Sequence, residues 1–373
     1  MPRGPCVPPV LGGGAPLQYN LPANLTTGIP LTMLPATESN ARTTPLRVVL
    51  LGLGRWGANH LRVLRGLPVE LYCVDTAPAR LSKLAESGFP AQRLSTDPYQ
   101  FLTQVDCAVV ATPAETHYEL CRRYLEADKD VFVEKPLTLA SRDSKELAEL
   151  AERRARILQV GHIFRFDPAA QWLKEAIGKG EFGQLKILRG NFSGFKRPRN
   201  DSGVTFADAI HFVDLFNLFM DRPPVRVTAV LNDFLGRGMD DESWIALDYE
   251  LPGGVVSAMV ETGYHTPGKY REVKVMGHKA SAICDFNVAQ YKVRMVDARH
   301  EVGQNGVVAV EETSRLLEFP PEEPLLAEVR AFLDSVGTRA APAADGWAGY
   351  WAVRVIERAL ESAQQRKTLS LDG

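Results

Sequence analysis

Three glycines, Gly52, Gly54 and Gly57, fall at G-x-G-x-x-G spacing within RVVLLGLGRWG, Arg47 to Gly57. That spacing can cradle a pyrophosphate. The first glycine permits a tight turn, the second lets a phosphate approach the backbone, and the third lets a following helix pack closely on the strand it leaves. A second apolar run, VELYCV, ends in Asp75, about 20 residues past Gly52, where a carboxylate can accept hydrogen bonds from adenosine ribose hydroxyls. The plain alternative is a glycine turn with an incidental surface Asp. A carboxylate repels a 2′-phosphate, so NAD suits the site better than NADP, with Arg80 nearby softening the preference.

These groups need elements to hold them. Val48 to Leu51 is an unbroken run of Val and Leu, as in a strand buried on both faces. The helix expected over roughly 56–67 would aim free N–H groups and its positive dipole end at the phosphates, with Arg55 and Trp56 at its head. From Leu46 onward, short apolar strands alternate with amphipathic helices, the pattern of a doubly wound parallel sheet. Strands are expected over Asp106 to Thr112, Asp130 to Glu134 and Ile157 to Gly161. Helices are expected over Ala79 to Glu86, from Asp97-Pro98, over Glu115 to Ala127 and from Ser141 to about Arg154. Ligands of such sheets bind beyond the carboxyl ends of the strands. Gly52 to Gly57, Asp75, Thr112-Pro113, Glu134-Lys135-Pro136 and Gly161-His162 therefore converge on one crevice.

Asp167-Pro168 begins a helix, with Asp as its cap and Pro at its first turn. After Gly183 the pattern changes to strands with hairpin turns: Leu185 to Phe192, Val225 to Leu231, Trp244 to Tyr249, Gly254 to Glu261, Glu272 to Met276 and Ala280 to Asp285. These form an open, largely antiparallel sheet with few helices against it. A helix over Ala207 to Met220 interrupts the strands, and late helices over Glu323 to Val336 and Ala348 to Ala363 could pack back on the first domain.

Two side chains in this frame can move protons. A lysine at a strand end, Lys135, can hydrogen-bond a reacting hydroxyl, and burial lowers its pKa as such lysines require. It could equally pair with Glu134 or stand solvated. His211 has Asp208 and Asp214 each three positions away on its helix, so either could orient the imidazole. The alternative is a packed or solvated histidine. Lys196, Arg197 and Arg199 suit phosphate or carboxylate recognition, or simply keep a loop soluble.

Composition removes several classes. A net charge of −2 gives no reason to invoke nucleic acid or an anionic membrane, and no apolar stretch approaches a bilayer span. Five scattered cysteines (Cys6, Cys73, Cys107, Cys121, Cys284) form no C-x-x-C pair, which fits a reducing cytoplasm and neither a disulfide framework nor a zinc site. Glu115 and His117 are not in an H-E-x-x-H arrangement, and no metal is expected. Residues 1 to 45 hold nine prolines and three charged residues, and read as a flexible arm, or as a start assigned too early with Met33 the true one.

GLGRWG, Asp75, ATPAETH at 111–117, VEKP at 133–136, GHIFRF at 161–166 and DAIHFVD at 208–214 together resemble the Gfo/Idh/MocA oxidoreductase family. That family includes glucose–fructose oxidoreductase, inositol dehydrogenase and sugar-nucleotide dehydrogenases. The likeness covers nearly everything from Leu46 to the end, and E-K-P at a strand end is its best single marker. It implies a Rossmann domain, here 46–165, and a C-terminal α/β domain with an open sheet, here 166–373, on which dimers or tetramers are built. It implies that Lys135 meets the substrate hydroxyl, that Pro136 follows a cis peptide, and that His211 accepts the alcohol proton as hydride leaves for C4 of the nicotinamide. It places Arg165 in the substrate crevice, although Arg165 could equally pair with Asp167. His162 could face the substrate or be satisfied by backbone. Thr112, Pro113 and His117 would lie by the nicotinamide ribose, with Glu134 close by. One departure stands out: many members carry Asp four positions before this His, where this chain has Ala207. Asp208 sits about 100° further around a helix, so the acid–base relay is open to change. The GHIFRFDPA wording and the basic loop look most like members acting on nucleotide-activated amino sugars at C3.

The expectation is an NAD-dependent dehydrogenase acting on a secondary alcohol, or the matching ketone, of a sugar, polyol or sugar nucleotide. A non-catalytic dinucleotide-binding sensor on the same fold is the rival from another class. A third reading keeps the enzyme but changes the acceptor to an imine or conjugated ring.

Overall fold

The computed structural model describes residues 44–199, 202–304 and 306–371. The arm expected over 1–45, with Met33 and Cys6, lies almost wholly outside them. Six strands build the first sheet: β1 (Leu46–Leu51), β2 (Val69–Val74), β3 (Leu94–Ser95), β4 (Cys107–Val110), β5 (Asp130–Glu134) and β6 (Leu158–Gly161). Their order is β3-β2-β1-β4-β5-β6, with every neighbouring pair parallel. Chain direction across the sheet reverses between β1 and β4, which is where such sheets open a ligand crevice. Val48 to Leu50, Cys107 to Val110 and Val131 to Val133 are buried, because helices α1 (Arg55–Arg65), α2 (Pro78–Glu86), α3 (His117–Glu126) and α4 (Ser141–Arg153) flank the sheet. Double-sided burial is why these strands read as continuous apolar runs.

Asp97-Pro98 does not open a helix. Residues 98–104 close instead in i→i−3 turns, Leu102 N to Tyr99 O at 3.0 Å and Gln104 N to Phe101 O at 2.9 Å. So short a segment gains too few backbone bonds to offset helix nucleation.

Asp167 caps α5 (Pro168–Gly178) as expected, its carboxylate accepting from Ala169 N at 2.9 Å. Beyond it lie β7 (Leu185–Ser193), a π-helical turn (Thr205–Ala209) running into α6 (Ile210–Met220), β8 (Arg226–Asn232), β9 (Glu242–Leu251), β10 (Gly254–Gly263), β11 (Glu272–Gly277), β12 (Ser281–Asp285), β13 (Val293–Gly303), β14 (Gly306–Leu317), α7 (Pro324–Thr338), α8 (Gly346–Gln365) and β15 (Leu369–Ser370). The nine strands order as β14-β13-β12-β11-β7-β10-β9-β8-β15, with only β7–β10 parallel. The long β13–β14 hairpin was not foreseen. It stands at the sheet edge, and β13 is buried only at Val293 and Met295, so it lacks the alternation of a half-buried strand.

The late helices do pack back. α7 sends Leu325, Val329 and Phe332 into one core with Val48, Leu50 and Phe132. α8 touches both halves: Trp347 Nε1 donates to Glu152 Oε1 at 2.6 Å, and Glu357 accepts from Ser141 N at 2.7 Å, while Ser362 Oγ accepts from Ala229 N at 3.1 Å. α6 is buried on nearly all sides, so its sequence IHFVDLFNLFM is apolar around the whole helix rather than along one stripe. Among the described residues, no helix is long and apolar enough to cross a membrane.

Candidate active site

The glycine loop has the shape its spacing demands. Gly52 adopts φ +92°, and an added Cβ would fall 2.7 Å from Ala111 O. A Cβ at Gly57 would fall 1.9 Å from Gly52 O, so the start of α1 lies directly against the turn. At Gly54 an added Cβ meets nothing within 4 Å, leaving open space over the backbone where a pyrophosphate would lie. The donors and the cradle fit a dinucleotide. Arg55 is exposed and Trp56 is 37% exposed at the head of α1, beside that opening.

Asp75, at the carboxyl end of β2, is bound to the loop itself. Its carboxylate accepts from Leu53 N at 2.7 Å and Ala77 N at 2.8 Å, and Arg80 Nη1 pairs with Oδ2 at 3.0 Å. Burial alone would raise its pKa, but these two backbone donors and the guanidinium bring it below the usual carboxylate value. Arg80 is the exposed partner, and so the one a ribose can displace.

The carboxyl ends of β4, β5 and β6 carry the other expected groups. His117 was expected beside the nicotinamide ribose, but it is fully buried. Nδ1 lies 2.8 Å from Pro136 O and Nε2 3.0 Å from Thr112 O, so the ring ties two strand ends together. Thr112 Oγ1 accepts from Thr116 Oγ1 at 2.7 Å, and Pro113 stays exposed at the rim. Glu134 does not pair with Lys135. It bonds His60 Nε2 at 2.7 Å, and although burial pushes its carboxyl up, that histidine and the Lys135 charge hold it below the ordinary value. His60 was missed by sequence reasoning. Its signal was the three-residue step from Gly57, which places both on the strand-facing side of α1.

The peptide bond Lys135-Pro136 is cis. Lys135 Nζ donates to Ala207 O at 2.5 Å, crossing from the end of β5 to the π turn before α6. Burial lowers the ammonium to about 8, with Asp208 pulling against it and Arg199 adding to it. His211 lies one helical turn beyond Ala207. Its ring stacks on Phe192 (5.3 Å between centroids, 22° between planes) and meets the edge of Phe164. Nδ1 of His211 is buried without a hydrogen-bond partner. Burial, then the charge of Lys135, hold this imidazole neutral well below its ordinary pKa.

Neither aspartate orients His211. Asp208 instead accepts from Lys196 Nζ at 2.6 Å, because the π turn directs its side chain toward the 196 loop. Asp214 is held by Arg165 at 2.6–3.1 Å and lies 3.7 Å from His162 Nδ1. Arg165 Nη1 also donates to Ala343 O at 2.6 Å, and the partner of Arg165 is Asp214 rather than Asp167, which binds Lys292 at 2.5 Å. Both ring nitrogens of His162 are buried without a hydrogen bond, and burial, opposed by Asp214, lowers its pKa to about 4. Arg197 and Arg199 are exposed on the loop after β7, and Arg199 O accepts from Arg237. Arg271, also missed, sits with its guanidinium carbon 3.4 Å from the Phe192 ring centre. A cavity of about 550 Å³ lined by Asp106, Asp130, Arg156 and Arg339 lies at the amino ends of β4 and β5, away from all of these groups.

A neutral imidazole, a lysine whose pKa burial lowers to about 8 and an open glycine loop can together supply a proton acceptor, a hydrogen-bond donor and a phosphate cradle. Comparison with known proteins gives the family. Residues 46–162 match the Gfo/Idh/MocA description "Oxidoreductase family, NAD-binding Rossmann fold", and residues 174–371 match "Oxidoreductase family, C-terminal alpha/beta domain". Myo-inositol 2-dehydrogenase of Thermotoga maritima is 27% identical over 88% of this chain and 99% of its own. The scyllo-inositol 2-dehydrogenase (NAD(+)) of Bacillus subtilis is 36% identical over 46% of this chain and 52% of its own. The solved structure of UDP-N-acetylglucosamine 3-dehydrogenase from Acidithiobacillus ferrooxidans shares the fold, with TM-score 0.74 and 22% identity over 86% of this chain and 98% of that one. With both halves matched, this chain belongs to the Gfo/Idh/MocA oxidoreductase family.

Proposed function

We propose that the protein is an NAD-dependent dehydrogenase moving a hydride between nicotinamide and a secondary alcohol, or the matching ketone, of a sugar, polyol or sugar nucleotide. The observation that carries this is the reach of Lys135 from β5 to Ala207 O, which brings the ammonium to the helix that presents His211. Bound nicotinamide supplies the hydride acceptor. Lys135 hydrogen-bonds the substrate oxygen and stabilises negative charge growing on it. His211, held neutral by burial and by the charge of Lys135, takes the hydroxyl proton. His162 and the Arg165–Asp214 pair form the wall behind them, and Gly52, Gly54, Gly57, Asp75 and the N–H groups at the head of α1 hold the cofactor.

The acidic Asp75 favours NAD over NADP. Residues 46–165 act as the cofactor domain and 166–373 as the substrate and assembly domain. The face of the nine-stranded sheet without helices exposes Ile187, Val230, Trp244, Val255 and Met259, which supports a homodimer or homotetramer built there. The four described cysteines are buried thiols, which suits a cytoplasmic protein. The relatives are named as dehydrogenases, and none favours a non-catalytic sensor. The test is absorbance at the NADH band with inositols, free sugars and UDP-sugars. Turnover that Lys135→Ala abolishes while NAD binding persists supports the proposal. NAD binding without reduction by any substrate class overturns it.

A further inference from the structure

Phe192 is the hub of a cationic cluster that the proton-transfer pair does not use. His211 stacks on its ring, Arg271 lies over it, and Lys196 Nζ stands 5.2 Å from its centre and equally far from that of Tyr264. Arg271 is fixed by Nη1, which donates to Ser193 O at 3.1 Å and to Tyr270 O at 2.5 Å. Lys196 is about one third exposed.

The charge balance of this cluster is uneven. Asp208 acts on Lys135, on Lys196 and on Arg271, with Glu134 acting on Lys135 as well, and of the three cations only Lys196 is within hydrogen-bond distance of Asp208. Arg271 and Arg199 both act unfavourably on Lys196. Among the described residues, Lys135, Lys196 and Arg271 face two carboxylates, Asp208 and the Glu134 that His60 also holds, which leaves one positive charge in excess in a partly desolvated site. Such a surplus is costly unless a further anion completes it. Neutral polyols bring none. The pyrophosphate of a bound dinucleotide would lie elsewhere, in the open space over Gly54.

We infer that the sugar-like substrate carries an anionic group, a carboxylate or phosphate, which docks on Lys196 and Arg271 while the reacting hydroxyl lies between Lys135 and His211. This rests on the dehydrogenase reading above and narrows its substrate class. The incoming anion replaces Asp208 as the partner of Lys196. The flat guanidinium, held over Phe192, offers its remaining N–H donors as a fork.

Calorimetric titration of the protein saturated with NADH separates this from turnover. The probes are a hexuronate, the matching neutral hexose, myo-inositol, a hexose 1-phosphate and a UDP-hexose. At least one anionic probe is expected to bind 10-fold or more tighter than the neutral sugars, with affinity falling as salt rises. Lys196→Met and Arg271→Gln are expected to remove that preference, and Arg271→Lys to restore part of it. A uronate preference identifies a ring carboxylate, and a phosphate or nucleotide preference a phosphoryl group. Equal binding of neutral and anionic sugars, or no binding of any, overturns the inference, as does a preference that survives both substitutions in variants whose unfolding midpoints match the parent. An anion preference without NADH formation from any probe retains the anion site and overturns the dehydrogenase reading.

Discussion

Lys135 and Ala207 are 72 positions apart in sequence and joined by a 2.5 Å hydrogen bond from Nζ to a helix-terminal carbonyl. This bond fixes the end of the parallel sheet against the element that presents His211. It also leaves the ammonium deep enough for burial to lower it from 10.5 to about 8. Below about pH 8 the buried charge costs the fold stability. As pH rises from 8 toward 10.5 the folded form loses its proton before the unfolded chain does, and that cost is relieved. Lys135→Met is expected to raise stability at pH 7 by up to about 2 kcal/mol, with the gain shrinking by pH 10, while turnover drops about 10²–10⁴-fold. Thermal unfolding at both pH values beside steady-state kinetics checks this. A gain independent of pH would show that the charge was not the cause.

Gly54 and Gly57 separate binding from folding. A methyl group at Gly57 collides with Gly52 O at 1.9 Å, so Gly57→Ala is expected to destabilise the whole protein by several kcal/mol, roughly as a forced overpacking does. Gly54→Ala meets no protein atom and is expected to leave the unfolding midpoint unchanged while weakening NAD by 10-fold or more. Equal NAD affinity in Gly54→Ala would place the pyrophosphate elsewhere.

Asp75 is expected to govern cofactor choice. Asp75→Ala removes the acceptor for Leu53 N and Ala77 N and the partner of Arg80. At about 1.5–3 kcal/mol for a hydrogen bond to a charged group, NAD should weaken about 10–100-fold. Arg80, released, can meet a 2′-phosphate, so the NADP to NAD ratio of kcat/KM should rise. Kinetics with both cofactors reads it directly, and an unchanged ratio counts against the assignment.

Asp208 acts on Lys135 through charge. It is the main influence holding the lysine pKa up against burial, so Asp208→Asn should lower it further. The alkaline limb of the pH–rate profile then moves to lower pH, whereas loss of a base that orients His211 would instead change the acid limb.

His162 should contribute to acid sensitivity. Its pKa of about 4 lies below the ordinary 6.5, so the unfolded chain takes up a proton first as pH falls. Stability should decline between pH 6.5 and 4, by at most about 3 kcal/mol from this residue. His162→Phe should flatten that decline in urea unfolding series, and an unaltered slope would assign it to other groups.

Much of the architecture was legible in the chain. Apolar runs ending in Gly52, Asp75 and Glu134, the glycine spacing, the Asp167-Pro168 cap and the change of period after Gly183 each rest on local physics: strand burial, turn sterics, capping. The crevice followed from topology, since residues at the carboxyl ends of parallel strands must share one edge. What no local pattern could decide was which polar partner each side chain takes. Arg165 meets Asp214 rather than Asp167, Glu134 meets His60 rather than Lys135, and Asp208 meets Lys196 rather than His211. Those pairings depend on a π turn that shifts side-chain direction before α6, and on desolvation, which makes a buried charge bind whichever partner the packing brings nearest. Sequence distance carries no information about that, and only the folded arrangement of β5, β6, α1 and α6 settles it.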